Sequence, residues 1–198
     1  MSEPSTIGIF VFDDVEELDA VGPWEVLAYW TRTWPEDGWR VVTLSPDGGP
    51  VRCAKGLRIT PDHGYEDAPA LDVVVHPGGR GTRAMTADEA ALARVRAWAG
   101  RAQLMASVCT GALVYAAAGL LRDRPATTYW SAFDELLALD PSIEARPEDR
   151  FVDDGDVLTS AGVSAGIDLA LHLVVRLASL ERGRQVRRGI QYDPQPPC

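Results

Sequence analysis

Gln103-Leu104-Met105-Ala106-Ser107-Val108-Cys109-Thr110-Gly111-Ala112 is the stretch on which the fold turns. The apolar run over residues 103–108 reads as a buried strand, and residues 110–121 read as a helix. Strand, sharp turn and helix in succession make a nucleophile elbow with Cys109 at its apex. Such a turn lifts the side chain above the sheet edge, at the positive end of the next helix. A thiol there is expected to have a lowered pKa and to be nucleophilic at neutral pH. The competing reading of Cys109 is a small buried hydrophobe, the usual fate of a free cysteine.

Outward from the elbow, buried strands and helices alternate. Residues 6–12, 39–44 and 71–76 read as strands, rich in Val, Ile and Leu. Residues 18–30 read as a helix with Pro23 in its first turn, and residues 88–100 as a helix capped by Thr86 and ended by Gly100. Residues 51–53 and 57–60 suggest a small hairpin, 126–128 a short strand, and 131–139 a capped helix. Asp154-Gly155 signals a type I′ hairpin between residues 150–153 and 156–159. Residues 164–181 read as one long apolar helix, and the tail from Tyr192 to Pro197 as extended. This alternation predicts an α/β sandwich with a mostly parallel sheet. Ligands in such sheets bind beyond the carboxyl ends of the strands. Three of those ends draw together: residues 13–19, Pro77-Gly78-Gly79, and Cys109.

Bulk properties narrow the function. With 198 residues and 46% hydrophobic content, a single domain over residues 1–198 can build a full core. A net charge of −10 argues against nucleic acid and anionic membranes as partners, since both require clustered Lys and Arg. No run approaches a membrane span, and Met1-Ser2-Glu3-Pro4 does not begin a secretory signal. Cys53, Cys109 and Cys198 are too far apart for a zinc motif, so no metal or cofactor is expected. Free thiols suit a reducing cytoplasm, and Cys198 reads as a frayed end.

Four segments together carry a family resemblance. They are residues 12–23 (Phe-Asp-Asp-Val-Glu-Glu-Leu-Asp-Ala-Val-Gly-Pro), 72–79 (Asp-Val-Val-Val-His-Pro-Gly-Gly), 107–112 (Ser-Val-Cys-Thr-Gly-Ala) and 160–168 (Ser-Ala-Gly-Val-Ser-Ala-Gly-Ile-Asp). In this order and spacing they resemble the ThiJ/PfpI superfamily. That resemblance implies a three-layer, flavodoxin-like sandwich similar to class I glutamine amidotransferases. Within the superfamily the chain is most similar to the isocyanide hydratases, through Glu-Leu-Asp-Ala-Val-Gly-Pro, Cys-Thr-Gly at the elbow, and the Tyr-Asp-Pro-Gln-Pro-Pro tail.

The resemblance implies cofactor-free hydration of an isocyanide to an N-formamide through a covalent thioimidate on Cys109. It makes Asp19 the proton-transfer acid, with Glu16 and Glu17 as close competitors. The N–H groups of Gly79 and Thr110 become anion donors, Gly78-Gly79 and Thr110 substrate contacts, and the Thr110 hydroxyl a positioning group. Tyr129 stands where many superfamily members carry His after Thr-Thr, so a Cys–His dyad is not available there. Tyr129 and Trp130 are candidates to line an apolar pocket, and His76 is the fallback base. A small-molecule substrate and a homodimer are implied. The alternatives are a thiol-based oxidation sensor, a relic of AraC-type regulators without their DNA-reading half, or another thiol hydrolase.

Overall fold

The computed structural model describes residues 3–195, so the expectations for Cys198 and the end of the tail lie outside the described residues. The chain runs through β1 (Ser5–Phe10), α1 (Glu17–Thr33), β2 (Trp39–Ser45), β3 (Val51–Arg52), β4 (Arg58–Ile59), β5 (His63–Gly64) and β6 (Val73–His76). It continues through α2 (Thr82–Met85), α3 (Glu89–Ala99), β7 (Leu104–Val108), α4 (Gly111–Ala117), β8 (Pro125–Ala126) and α5 (Phe133–Leu139). The last elements are β9 (Glu144–Ala145), β10 (Phe151–Asp154), β11 (Val157–Ser160), α6 (Ala165–Leu177) and α7 (Leu180–Gly189).

Seven strands form the central sheet in the order β10-β11-β7-β6-β1-β2-β5. Every pairing is parallel except β10 with β11. Parallel sheets are covered on both faces, which is why β6 and β7 are buried at every position and, but for His76 and Ser107, apolar. One face packs against α1, α6 and α7 around Ile9, Val75, Val108 and Leu173. The other packs against α3, α4 and α5 around Val74, Met105, Leu113 and Leu136. This is the three-layer α/β sandwich expected from the alternation of apolar strands and helices.

Local expectations differ in informative ways. Pro23 lies inside α1 rather than in its first turn. It cannot donate to the carbonyl four residues back, that of Asp19, and its ring instead packs toward Gly166 on α6. The cap of α3 is Asp88, which accepts from the N–H groups of Ala90 and Ala91, whereas the Thr86 hydroxyl donates to the Arg83 carbonyl. No side chain caps α5. In the β10–β11 turn Gly155 has φ 82° and Asp156 is not in the left-handed region, the II′ rather than the I′ pattern. The long helix expected to Glu181 is two: α6 ends at Leu177, and the Ser179 hydroxyl caps α7 by accepting from the Arg182 N–H at 3.0 Å.

Candidate active site

The ends of β1, β6, β7 and β11 converge on Cys109. The elbow is real: Cys109 directly follows β7 and has φ 58°, a left-handed conformation that side chains adopt at a cost. Its neighbours hold it there. The Cys109 N–H donates to the carbonyls of Ser160 (3.1 Å) and Ala161 (3.3 Å). Its carbonyl accepts from the Thr128 hydroxyl at 2.9 Å. Gly78 crosses directly over the turn, and a Cβ there would lie 2.5 Å from the Thr110 nitrogen and 2.8 Å from the Cys109 Cβ. The Gly pair is therefore required by close backbone approach, not only by a turn.

Asp19 is wholly buried beneath the thiol. Its Oδ2 accepts from the Gly78 N–H at 3.0 Å and its Oδ1 from the Val163 N–H at 3.1 Å. Its carboxyl also lies close enough to the Cys109 side chain for each to shift the other's pKa. Of the three acids at the start of α1, this one alone meets the sulfur. Glu16 pairs with Lys55, and the Glu17 Oε1 accepts from the Lys55 N–H at 2.6 Å, so both are tied to the β3–β4 hairpin. Val163 was not among the residues the sequence singled out. It is β-branched yet has φ 56°, and its strain aims the N–H at the Asp19–Cys109 pair.

Burial pushes the Asp19 carboxyl up to about 7, offset in part by the Gly78 N–H and the Cys109 contact. The Cys109 thiol goes up as well, to about 12, because burial and the Asp19 charge both oppose the thiolate. This corrects the expectation of a lowered thiol pKa. The N–H groups of Thr110 and Val163 do favour the thiolate, but the thiol is only 5% exposed and an acid touches it. Near neutral pH the pair thus gives up one proton and keeps the other. Of the two, Asp19 is the group able to accept a proton near neutral pH.

Thr110 sits at the centre of a small hydroxyl cluster. The Gly79 N–H donates to Thr110 Oγ1 at 2.9 Å, and the buried Thr82 hydroxyl lies 2.8 Å from the Gly79 carbonyl and 3.1 Å from Thr110 Oγ1. The Gly79 N–H, expected to face the substrate, is thus engaged by Thr110, and the Gly78 N–H by Asp19. The Thr110 N–H remains directed at the sulfur.

A cleft of about 820 Å³ opens over the thiol, lined by Cys109, Thr110, Tyr129 and Val163, with Leu18 and Leu57 among its apolar walls. Two candidate pocket residues lie elsewhere. Trp130 is 77% exposed and outside the lining. His76 is fully buried among Phe10, Phe12 and Tyr115, and desolvation pushes its pKa down to about 4. Its Nδ1 donates to the Pro77 carbonyl, so the ring anchors the strand end and does not reach the cleft. Among the described residues no cluster of three or more His, Cys, Asp or Glu could hold a metal ion, and no helix is long and apolar enough to cross a membrane.

A parallel three-layer sandwich with a cysteine elbow and a buried acid from the first helix defines a class of cysteine-elbow α/β proteins. Residues 5–176 match the DJ-1/PfpI family model, and the chain belongs to that family. It is 40% identical to the isonitrile hydratase of Pseudomonas putida over 192 residues, covering 96% of this chain and 80% of that protein. It is also 32% identical to the HTH-type transcriptional regulator GbdR of Pseudomonas aeruginosa, covering 94% of this chain but only 49% of the regulator. Among solved structures, a ThiJ/PfpI family protein from Pseudomonas syringae superposes with a TM-score of 0.87 at 32% identity, covering 98% of this chain and 78% of that one.

Proposed function

We propose that this protein hydrates an isocyanide to an N-formamide with Cys109 as nucleophile and Asp19 as proton carrier. The observation that carries this reading is the buried Asp19 carboxyl set against the Cys109 side chain at the elbow, joined to 40% identity with an isonitrile hydratase over most of the chain. In the resting pair Asp19 is ionised and Cys109 is a thiol. The sulfur attacks the terminal carbon of R–N≡C and its proton moves to Asp19. Asp19 then delivers that proton to the same carbon, which leaves the thioimidate Cys–S–CH=N–R. A water adds next: its oxygen bonds the carbon, and one water proton passes through Asp19 to nitrogen. The tetrahedral adduct collapses to R–NH–CHO as the C–S bond breaks and the hydroxyl proton returns to sulfur. The protons delivered to carbon and to nitrogen thus pass through one carboxyl raised to about 7, the condition under which acid–base catalysis near neutral pH is most efficient.

The N–H groups of Thr110 and Val163, both close to the sulfur, favour the thiolate as it forms and departs. A homodimer fits the half-exposed Leu18 and Val21 on α1, and a reducing compartment such as the cytoplasm fits the free Cys53 and Cys109. Intact-mass spectrometry with a slowly hydrolysed isocyanide tests the mechanism. A transient gain of one whole isocyanide, absent in Cys109→Ala, is expected. Turnover without any such adduct at short times would argue against covalent catalysis.

A further inference from the structure

We infer that the cleft contains an aryl subsite built on Tyr129, so that the preferred substrate carries a flat, apolar group on the isocyanide nitrogen; this rests on the hydratase reading of the same cleft. Tyr129 is fixed relative to Cys109 from two sides. The hydroxyl of the preceding residue, Thr128, donates to the Cys109 carbonyl itself, which ties this segment to the elbow. On the other side the ring lies directly on Gly162. A Cβ at that glycine would fall 2.2 Å from Tyr129 Cδ2 and 3.0 Å from Cε2. Only a residue without a side chain lets the ring seat there.

These distances place Gly162 in the plane of the ring at its Cδ2 edge, so the contact fixes the ring that lines the cleft without covering either of its faces. Trp130 meets the ring tilted at 54°, with centroids 5.7 Å apart, and so does not stack over a face. The remaining apolar wall comes from different elements, Leu18 of α1 and Leu57 of the β3–β4 turn, which are 37% and 48% exposed. An immobile aromatic ring and two leucines lining one cleft favour a flat apolar group over a compact polar one. Two of the cations in the lining are already paired. Lys55 is held by Glu16, and Arg83 makes a double hydrogen bond to Glu135, at 2.8 and 3.0 Å.

Alkylation of Cys109 reads this subsite without any need for turnover. The probes are iodoacetanilide and iodoacetamide, which differ by a phenyl ring, with peptide mapping to separate Cys109 from Cys53. Cys109 of the wild type should prefer the anilide about 3- to 10-fold beyond the ratio shown by free cysteine, the range expected of one aromatic contact. Tyr129→Phe should keep that preference, because the face and not the hydroxyl makes the contact. Tyr129→Leu, which fills the space without a ring, should lose it, and Gly162→Ala should reduce it by displacing the ring from its seat. A wild-type ratio equal to that of free cysteine, or an unchanged preference in Tyr129→Leu, would overturn the subsite. Phenyl and cyclohexyl isocyanide are then compared as substrates. Absence of formamide from either, with the alkylation preference intact, would refute the hydratase reading and leave the aryl subsite standing.

Discussion

Replacing Asp19 by Asn should change how stability depends on pH, not simply how large it is. In the folded protein burial raises this carboxyl from 3.8 to about 7. A raised carboxyl means that the folded state holds its proton more tightly than the unfolded chain does. The stability this provides is complete below pH 3.8 and is lost as the pH rises through 7. The shift of about three pH units corresponds to roughly 4 kcal/mol over the whole window, of which about 2.5 kcal/mol falls between pH 5 and pH 8. Asn has no such titration. It carries one oxygen where Asp offers two, so either the Gly78 or the Val163 N–H loses its acceptor, at about 1–3 kcal/mol. That second cost is independent of pH. The two unfolding free energies should therefore converge or cross as pH rises, the wild type losing about 2.5 kcal/mol relative to Asp19→Asn between pH 5 and pH 8. Urea denaturation of both proteins at several pH values, at equal ionic strength, measures the difference. Stabilities that run parallel across this range would show that Asp19 does not carry a raised pKa, and the proton-carrier argument would fail with it.

Three further outcomes follow from the same geometry. The value of kcat/KM should rise with pH up to about 7, as Asp19 becomes able to accept a proton, and stay level to at least pH 9, because Cys109 keeps its proton to about 12; a fall between pH 7 and 9 in a pH–rate profile would contradict the assignment. Gly78→Ala should lower kcat/KM about 100-fold, since its Cβ would press on the Thr110 nitrogen and displace the elbow by a fraction of an ångström; near wild-type kinetics would mean that this approach is not tight. Trp130→Ala should leave both kinetics and stability within about 0.5 kcal/mol of wild type, as expected of a side chain 77% exposed and outside the cleft.

The sheet was legible because burial on both faces leaves a plain signature. Runs such as Val73-Val74-Val75 and the strand before Cys109 have no polar side to confuse them with anything else. The elbow was legible for the same reason, with a buried strand followed at once by small residues and a helix. What the sequence could not convey depends on contacts between distant segments. Val163 meets Asp19 across 144 positions, and neither its positive φ nor its aim at the sulfur leaves a mark in local pattern. The direction of the thiol pKa was misread because a helix start suggests a lowered value, whereas burial and the adjacent acid dominate and are visible only once the chain is folded. The α6–α7 break was missed because apolar residues run to Leu177 and Leu180 resumes directly after Ser179, so hydropathy alone reads through the turn. His76 shows the converse. A titratable residue at a strand end beside the Gly pair suggested chemistry, but its aromatic neighbours make it part of the core.

The most direct test of the central claim is formamide production. Purified protein and its Cys109→Ala variant are incubated with cyclohexyl isocyanide, and N-cyclohexylformamide is followed by mass spectrometry. Multiple turnovers by the wild type and none by Cys109→Ala are expected. Equal formation by both proteins, or none by a wild type whose Cys109 is shown to be reduced and alkylatable, would contradict cysteine-dependent hydration.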